Sequence, residues 1–283
     1  MNILITGSSG FIGNKLKNYF SLNHNVFCIQ RKPDSIGDKN VFNIDLTKLD
    51  AVNNVLKNET FNQINIDVII HCAALLADEN NINSISLFND NNKITESVIT
   101  LALHFKPKKL LNFSTIGVYP NKDGSYTEVS EINPSANAEC LYSLSKFCSE
   151  ELFKFYLKNI EVVNLRLSQT YGDGMRADRM YSNYLAELKN KNEICVWGNG
   201  ERVSNFISIN YLIEKVDLLL KQNNFSGTLN LGQKNISYLD LAKMIINEHG
   251  NENSKIVLID KGVKSKVYIN CSKIDKLLNN EQK

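Results

Sequence analysis

Seven residues near the start of the chain narrow the choice of folds more than any others. Gly7-Ser8-Ser9-Gly10-Phe11-Ile12-Gly13 sets three glycines at three-residue spacing behind the short apolar run from Asn2 to Thr6. Phe11, Ile12, Leu16, Tyr19 and Phe20 then recur at helical spacing, so the segment reads as strand, tight turn and helix. A diphosphate approaches a backbone closely only where side chains are missing, and the free N–H groups and dipole of a helix start favour its negative charge. Gly7, Gly10, Phe11, Ile12 and Gly13 are therefore candidate phosphate contacts, with an ordinary glycine-rich turn as the alternative.

The same alternation continues along the chain. Asn25 to Ile29 reads as strand, Leu49 to Leu56 as helix, Asp67 to His71 as strand, Ile85 to Phe105 as helix and Lys109 to Ser114 as strand. Cys140 to Lys158 then reads as helix and Ile160 to Leu167 as strand. Runs such as Val68-Ile69-Ile70 lack polar alternation, as expected of parallel strands covered on both faces. The fold class is α/β, a doubly wound parallel sheet of the Rossmann kind with a smaller C-terminal substrate lobe. Residues 1–168 form the dinucleotide-binding domain, and 206–232 return to it: Phe206 to Ile209 and Thr228 to Leu231 as strands of the main sheet, Leu212 to Lys221 as a helix. The substrate lobe takes 169–205 and 233–283, with helices over Met180 to Lys189 and Leu239 to Asn247, a strand at Ile194 to Trp197 and a turn at Gly198-Asn199-Gly200.

Composition removes several other classes. No apolar run approaches the roughly 20 residues that span a bilayer, and a net charge of +2 with interleaved signs argues against a nucleic-acid groove. The six cysteines are scattered without a CxxC pair, so they read as small core residues and no metal site or disulfide framework is expected. The opening residues lack the pattern of a secretory leader, so a cytoplasmic protein is expected.

Thr6 to Gly13 match TGxxGxxG, and with the motifs below the chain resembles the extended short-chain dehydrogenase/reductases, or NAD-dependent epimerase/dehydratase family, over nearly its whole length. In such folds a carboxylate at the end of the second strand receives the adenosine ribose, whereas cations there attract a 2′-phosphate. The chain reads Ile29-Gln30-Arg31-Lys32, with no acid and with a guanidinium suited to phosphate. NADP(H) is thus the expected cofactor, held at Arg31 and Lys32; NAD(H) stays possible if these are solvated loop charges. The resemblance also implies an adenine clamp at Asp45-Leu46, although Asp45 could instead cap the helix that follows. It implies a small-residue path along the cofactor at Ala73 and Ala74 in His71-Cys72-Ala73-Ala74, no chemistry being assigned to His71. It further implies an asparagine ordering the site wall at Asn92, with Asn91 leaving the register open.

Tyr142-Ser143-Leu144-Ser145-Lys146 puts a phenol and an ammonium four residues apart on one helix face. A free tyrosine has a pKa of about 10, and a nearby cation lowers it toward proton exchange at neutral pH. In the family that this resembles, the lysine also holds the nicotinamide ribose and the tyrosine exchanges a proton with a carbinol or carbonyl. Asn112 to Pro120 resembles the family's SSxxVYG segment, which implies that Thr115 bonds the substrate oxygen, with Ser114 assisting. The catalytic set is therefore Thr115, Tyr142 and Lys146.

The family's 4,6-dehydratases carry Asp-Glu after the catalytic Thr, and its GDP-fucose synthases use a cysteine there; this chain has Ile116-Gly117 and no histidine between His104 and His249. The remaining chemistry is hydride transfer at one carbon. An NADPH-dependent reductase of a nucleotide-linked 4-keto-sugar is expected, with a nucleotide-sugar 4-epimerase as the alternative and a non-catalytic dinucleotide sensor as a third reading. Leu165 to Gly172 resembles LRxxxxYG, with Arg166 either structural or substrate-binding. Trp197 to Ile207 resembles GDGxxxRDFI, but Ser204 and Asn205 stand in the Arg-Asp places, so Arg202, Arg176 and Arg179 become the candidates for substrate phosphate. Trp197 stacks on a base or joins the core. The C-terminal Asn270-Cys271-Ser272-Lys273 resembles the family's DxSK. By analogy with the family, a homodimer through the helices Ile85 to Phe105 and Cys140 to Lys158 is expected.

Overall fold

The computed structural model describes residues 1–31 and 39–279, so Lys32 lies outside the described residues. The first elements are β1 (Asn2–Thr6), α1 (Phe11–Phe20), β2 (Asn25–Gln30), β3 (Val41–Asn43), α2 (Leu49–Val55), α3 (Glu59–Asn62), β4 (Val68–His71), α4 (Ile85–Phe105) and β5 (Lys109–Thr115). They are followed by β6 (Gly124–Tyr126), α5 (Cys140–Tyr156), β7 (Glu161–Leu167), β8 (Gln169–Tyr171), α6 (Met180–Lys191), β9 (Glu193–Trp197), β10 (Val203–Ser208) and α7 (Ile209–Lys221). The chain ends with β11 (Gly227–Leu231), β12 (Lys234–Ser237), α8 (Tyr238–His249), β13 (Lys255–Ile259), β14 (Val267–Ile269) and α9 (Ser272–Asn279).

Seven strands make one sheet in the order β11-β7-β5-β4-β1-β2-β3. β1 pairs in parallel with β2 and β4, β2 with β3, β4 with β5, and β5 with β7. The chain therefore runs outward from β1 to β3, returns to β4 on the other side of β1, and runs outward again. Loops leaving the C-terminal ends of β1 and β4 diverge, which opens a crevice at that edge. Leu4, Ile29, Ile69, Leu110 and Val162 pack on one face with residues of α2 to α5. Their alternate neighbours Ile3, Ile5, Ile70, Leu111 and Val163 are equally buried on the other face. There the Lys109 ammonium donates to the carbonyls of Leu219 and Gln222, holding α7. Each aliphatic side chain so enclosed contributes roughly 1.5–3 kcal/mol, which is why these strands are uninterrupted apolar runs.

The chain divides into two compact units, one of residues 1–120, 131–167 and 215–229 and the other of 121–130, 168–214 and 230–283. The second unit holds three small sheets, β12-β10-β8, β13-β9 and β14-β6. Its core is formed by Tyr181, Tyr184 and Leu188 of α6, Ile194 and Val196 of β9, Phe206, and the apolar face of α8. Of Phe206 to Ile209, expected as a strand of the main sheet, the first three residues instead belong to β10, which lies parallel to β8 and antiparallel to β12, and Ile209 opens α7. The polar residues of β10 explain the difference. Ser204 accepts from Gln169 at 2.9 Å, and Asn205 bonds Asn235 at 2.9 Å and the Gln233 amide at 3.1 Å, so the buried polar groups of β10 find their partners on β8, on β12 and in the residue before β12. Trp197 ends β9 with 53% of its surface exposed, outside any core. No helix among the described residues is long and apolar enough to cross a membrane.

Candidate functional site

The glycine turn is shaped by contacts that exclude side chains. Gly7 has φ +73°, and a Cβ on it would stand 2.7 Å from the Ala73 backbone in the loop after β4. A Cβ on Gly13 would lie 2.3 Å from the Gly7 carbonyl oxygen, so glycine there lets the first turn of α1 close onto the loop. Gly10 caps α1 without a side-chain bond, and the first turn holds no acid. The first helical hydrogen bond runs from Asn14 to Gly10, leaving the amides of Phe11, Ile12 and Gly13 without an acceptor among the described residues. Three free donors at the positive end of a helix dipole fit a diphosphate. Ser8 donates to Gln30 at 3.1 Å and ties this turn to the last residue of β2. Gln30 was passed over in the sequence, although a polar residue ending an apolar strand marked it. Its Nε2 is buried and has no partner among the described residues.

Arg31 is exposed at the same strand end. Burial works to raise Asp45, but the Thr47 hydroxyl and amide, Lys48 and Arg31 hold its carboxyl below the usual value. Asp45 Oδ1 accepts from the Thr47 amide at 3.0 Å and its hydroxyl at 2.7 Å, which closes a tight turn ahead of α2 rather than capping that helix, whose N-cap is Lys48. Leu46 is buried in the core and its carbonyl accepts from Ser97 at 2.8 Å. After β4, Ala73 and Ala74 are half-buried. His71 accepts or donates at Thr6 (2.8 Å), and burial, reinforced by Lys146, keeps it well below its ordinary pKa.

Of the two neighbouring asparagines on α4, Asn91 and not Asn92 is the one that binds the loop after β4. Asn91 accepts from the Leu75 amide and donates to the Leu75 carbonyl, both at 2.9 Å. The Oδ1 of Asn92 is buried with no partner among the described residues. Helical phase decides it, because Asn91 shares the buried face of α4 with Leu87, Ile94, Thr95 and Val98.

Tyr142 and Lys146 lie on α5, whose register is fixed from behind by buried polar contacts. Ser114 and Arg166 are paired neighbours on β5 and β7. Arg166 donates to Glu150 of α5 at 2.8 Å and to the Tyr119 hydroxyl at 2.9 Å, and Ser114 donates to Glu150 at 2.5 Å. Burial opposes the charge of Arg166, yet Glu150 and Tyr119 hold its pKa above the ordinary value. Two pairs earlier, Asn112 donates to Asn164 at 2.8 Å and to Ser149 of α5 at 3.2 Å. Arg166 is thus structural, and Ser114, expected beside the substrate, is committed to Glu150. Adjacent strand residues face opposite ways, which separates Ser114 from Thr115. Glu150 was missed in the sequence; the polar period of two through Asn112 and Ser114, matched by Asn164 and Arg166, was its signal.

With α5 so held, Lys146 faces the end of β4. It is 4% exposed, its ammonium forms no hydrogen bond or ion pair among the described residues, and burial lowers its pKa to about 8 against the pull of Cys72 and Glu150. Thr115 Oγ1 accepts from the Gly117 amide at 3.0 Å, which leaves its proton free to donate.

In the second unit, Arg176 is engaged by Asp178 at 3.0 and 2.5 Å, a counter-ion two residues away that occupies the fork expected to meet substrate. Arg179 lies 3.9 Å from the same carboxylate. The Arg202 guanidinium stacks 5.0 Å from the Tyr238 ring centroid and has no hydrogen bond or ion pair among the described residues.

Dinucleotide-dependent α/β enzymes are built around this crossover edge, and a tyrosine and lysine one helical turn apart beside it define the short-chain dehydrogenase/reductase class. Residues 3–232 match the NAD dependent epimerase/dehydratase family, and the chain belongs to that family. It is 28% identical over 270 residues to the dTDP-D-glucose 4,6-dehydratase of Dictyostelium discoideum, covering 87% of this chain and 61% of that protein. It is 26% identical over 290 residues to the dTDP-4-dehydro-6-deoxyglucose reductase of Escherichia coli, covering 96% of this chain and 87% of that one. The fold is similar to that of Helicobacter pylori ADP-L-glycero-D-manno-heptose-6-epimerase, with TM-score 0.82 and 22% identity over 98% of this chain and 90% of that one.

Proposed function

We propose that this protein is an NADPH-dependent reductase of a nucleotide-linked 4-keto-sugar. The observation that carries the reading is a desolvated, unpaired ammonium, Lys146, one helical turn from the Tyr142 phenol at the crossover edge of the sheet. NADP(H), when bound, supplies hydride to the reacting carbon or takes it back. Gly7, Gly10 and the amides of Phe11, Ile12 and Gly13 hold the diphosphate, and Arg31, with Lys32, attracts the 2′-phosphate. Asp45 and Leu46 border the adenine, and Ala73 and Ala74 leave room along the dinucleotide.

Tyr142 donates its proton to the carbonyl oxygen as that oxygen gains charge, and the Lys146 ammonium stabilises the resulting phenolate. Thr115 donates a second hydrogen bond to the same oxygen. Arg202, lacking a counter-ion among the described residues, serves the substrate diphosphate better than Arg176, which Asp178 already neutralises. Ile116 and Gly117 carry neither acid nor base, which argues against elimination at neighbouring carbons. The likeness to the Escherichia coli reductase over 96% of the chain supports reduction. A homodimer through α4 and α5 is supported by exposed Ile85, Leu103, Phe155 and Tyr156 on those helices.

The test is NADPH oxidation against a panel of 4-keto nucleotide sugars. Consumption equal to product formed supports a reductase, whereas interconversion of two sugars with no net change in nicotinamide absorbance makes the protein a 4-epimerase. Tyr142→Phe is expected to abolish turnover with cofactor binding intact; surviving activity refutes the proton donor.

A further inference from the structure

Gly117 stands two residues after Thr115 in a backbone held on several sides. Asn137 donates to the carbonyls of Gly117 at 2.8 Å and Tyr119 at 2.7 Å, and the Asn133 amide donates to the Val118 carbonyl at 2.9 Å. A Cβ on residue 117 would meet Ser143 Oγ at 2.5 Å and Thr115 Oγ1 at 3.3 Å. The space that a side chain at 117 would fill is therefore occupied by the hydroxyl of Ser143, the residue after Tyr142 on α5.

Ser143 is 2% exposed, yet its hydroxyl has no hydrogen-bond partner among the described residues. Other serines of the same helix do not behave this way. Ser145 donates to the Tyr142 carbonyl and Ser149 to the Lys146 carbonyl, each at 2.7 Å, while Ser143 leaves the equivalent bond unmade. A hydroxyl that keeps a solvent-reachable edge and makes no bond to the protein remains available, as donor and acceptor, to a bound molecule. Here the hydroxyl shares the space beside Gly117 with the hydroxyl of Thr115.

We propose that Ser143 is a specificity-determining, substrate-binding residue that recognises the sugar hydroxyl on the ring carbon next to the reacting carbonyl. This rests on the reading of Tyr142 as proton donor to a 4-keto-sugar. Thr115 Oγ1 accepts from Gly117 and keeps its proton to donate, which suits a carbonyl oxygen. Ser143 can donate and accept, which suits a neighbouring hydroxyl. Of the two carbons flanking the carbonyl, only the one away from the ring oxygen carries a hydroxyl. Glycine at 117 keeps the space open for that contact. A site that hydrogen-bonds a substrate hydroxyl rejects the analogue lacking it, so the protein discriminates against the corresponding deoxy sugar.

The experiment compares wild type with Ser143→Ala and Gly117→Ala on a 4-keto nucleotide sugar and on its analogue deoxygenated next to the carbonyl. Each variant is expected to lose about 10- to 100-fold in kcat/KM on the hydroxylated sugar and nothing on the deoxy analogue. NADPH affinity and thermal midpoint are expected to stay at wild-type values. Gly117→Ala acts by displacing the Ser143 hydroxyl, so the double variant should lose no more than either single one. In a Tyr142→Phe background, Ser143→Ala should weaken calorimetric binding of the hydroxylated nucleotide sugar about 10-fold, a readout that needs no turnover. Unchanged kcat/KM in Ser143→Ala overturns this proposal while an inactive Tyr142→Phe preserves the reductase reading. Parallel loss of NADPH affinity or thermal stability in Ser143→Ala also overturns it. Activity in Tyr142→Phe overturns the underlying reading and this proposal with it.

Discussion

Replacing Lys146 with methionine keeps most of the side-chain length and deletes a charge that the fold buries. In the unfolded chain the ammonium titrates near its ordinary 10.5, whereas burial brings it to about 8 in the folded protein. Below the folded value both states carry the proton, and the fold bears the full cost of enclosing it; the lowering from 10.5 to about 8 corresponds to about 3 kcal/mol. Between the two values the folded chain sheds the proton while the unfolded chain keeps it, so the cost shrinks as pH rises and disappears above 10.5. Glu150 keeps Arg166 as its partner after the change, so no carboxylate is orphaned. Lys146→Met is therefore expected to be more stable than wild type by up to about 3 kcal/mol near pH 7 and by about 1 kcal/mol near pH 9.5. The measurement is the difference in urea-unfolding free energy of the cofactor-free proteins at the two pH values. Turnover is expected to fall by at least about 100-fold, because the Tyr142 phenolate loses its neighbouring cation. A variant that is less stable near pH 7, or a gain that does not change with pH, would refute the view of Lys146 as a desolvated charge kept for its chemistry.

Three further outcomes are expected. Glu150→Leu leaves the Arg166 guanidinium buried without a counter-ion and should cost about 3–5 kcal/mol in urea unfolding, with Glu150→Leu/Arg166→Met recovering most of it. Gly7→Ala forces a side chain onto φ +73° and against the Ala73 backbone. It should cost about 1–3 kcal/mol of stability and weaken NADPH binding, and wild-type affinity in a fluorescence titration would remove the turn from the cofactor site. Arg31→Ala should raise KM for NADPH about 10-fold and leave NADH little affected, whereas equal changes for both would place the 2′-phosphate elsewhere.

The sequence makes some of this legible because the relevant spacing is local. Gly7 to Gly13 encode their turn within one stretch, and Tyr142 and Lys146 share a helix face through a four-residue interval. Unbroken apolar strands likewise announce a sheet covered on both sides. Other features depend on where distant segments meet. Phe206 and Ile207 are apolar enough for any sheet, and only the polar partners of Ser204 and Asn205 assign β10 to the smaller one. Glu150 looks like a surface residue until Ser114 and Arg166, paired across β5 and β7, are brought beneath it. Asn91 and Asn92 are equivalent as letters and distinct only as angles around α4. Arg176 reads as a free cation until the loop folds Asp178 onto it.

The anchoring of α5 has a consequence for how such an enzyme diversifies. Apolar packing tolerates small slips along a helix axis, but directional bonds to Glu150 and Ser149 do not, so this helix is pinned by its middle turns. Its first turn projects forward from those pins. Residues surrounding that turn are then free to be exchanged for a different sugar without disturbing the placement of the phenol.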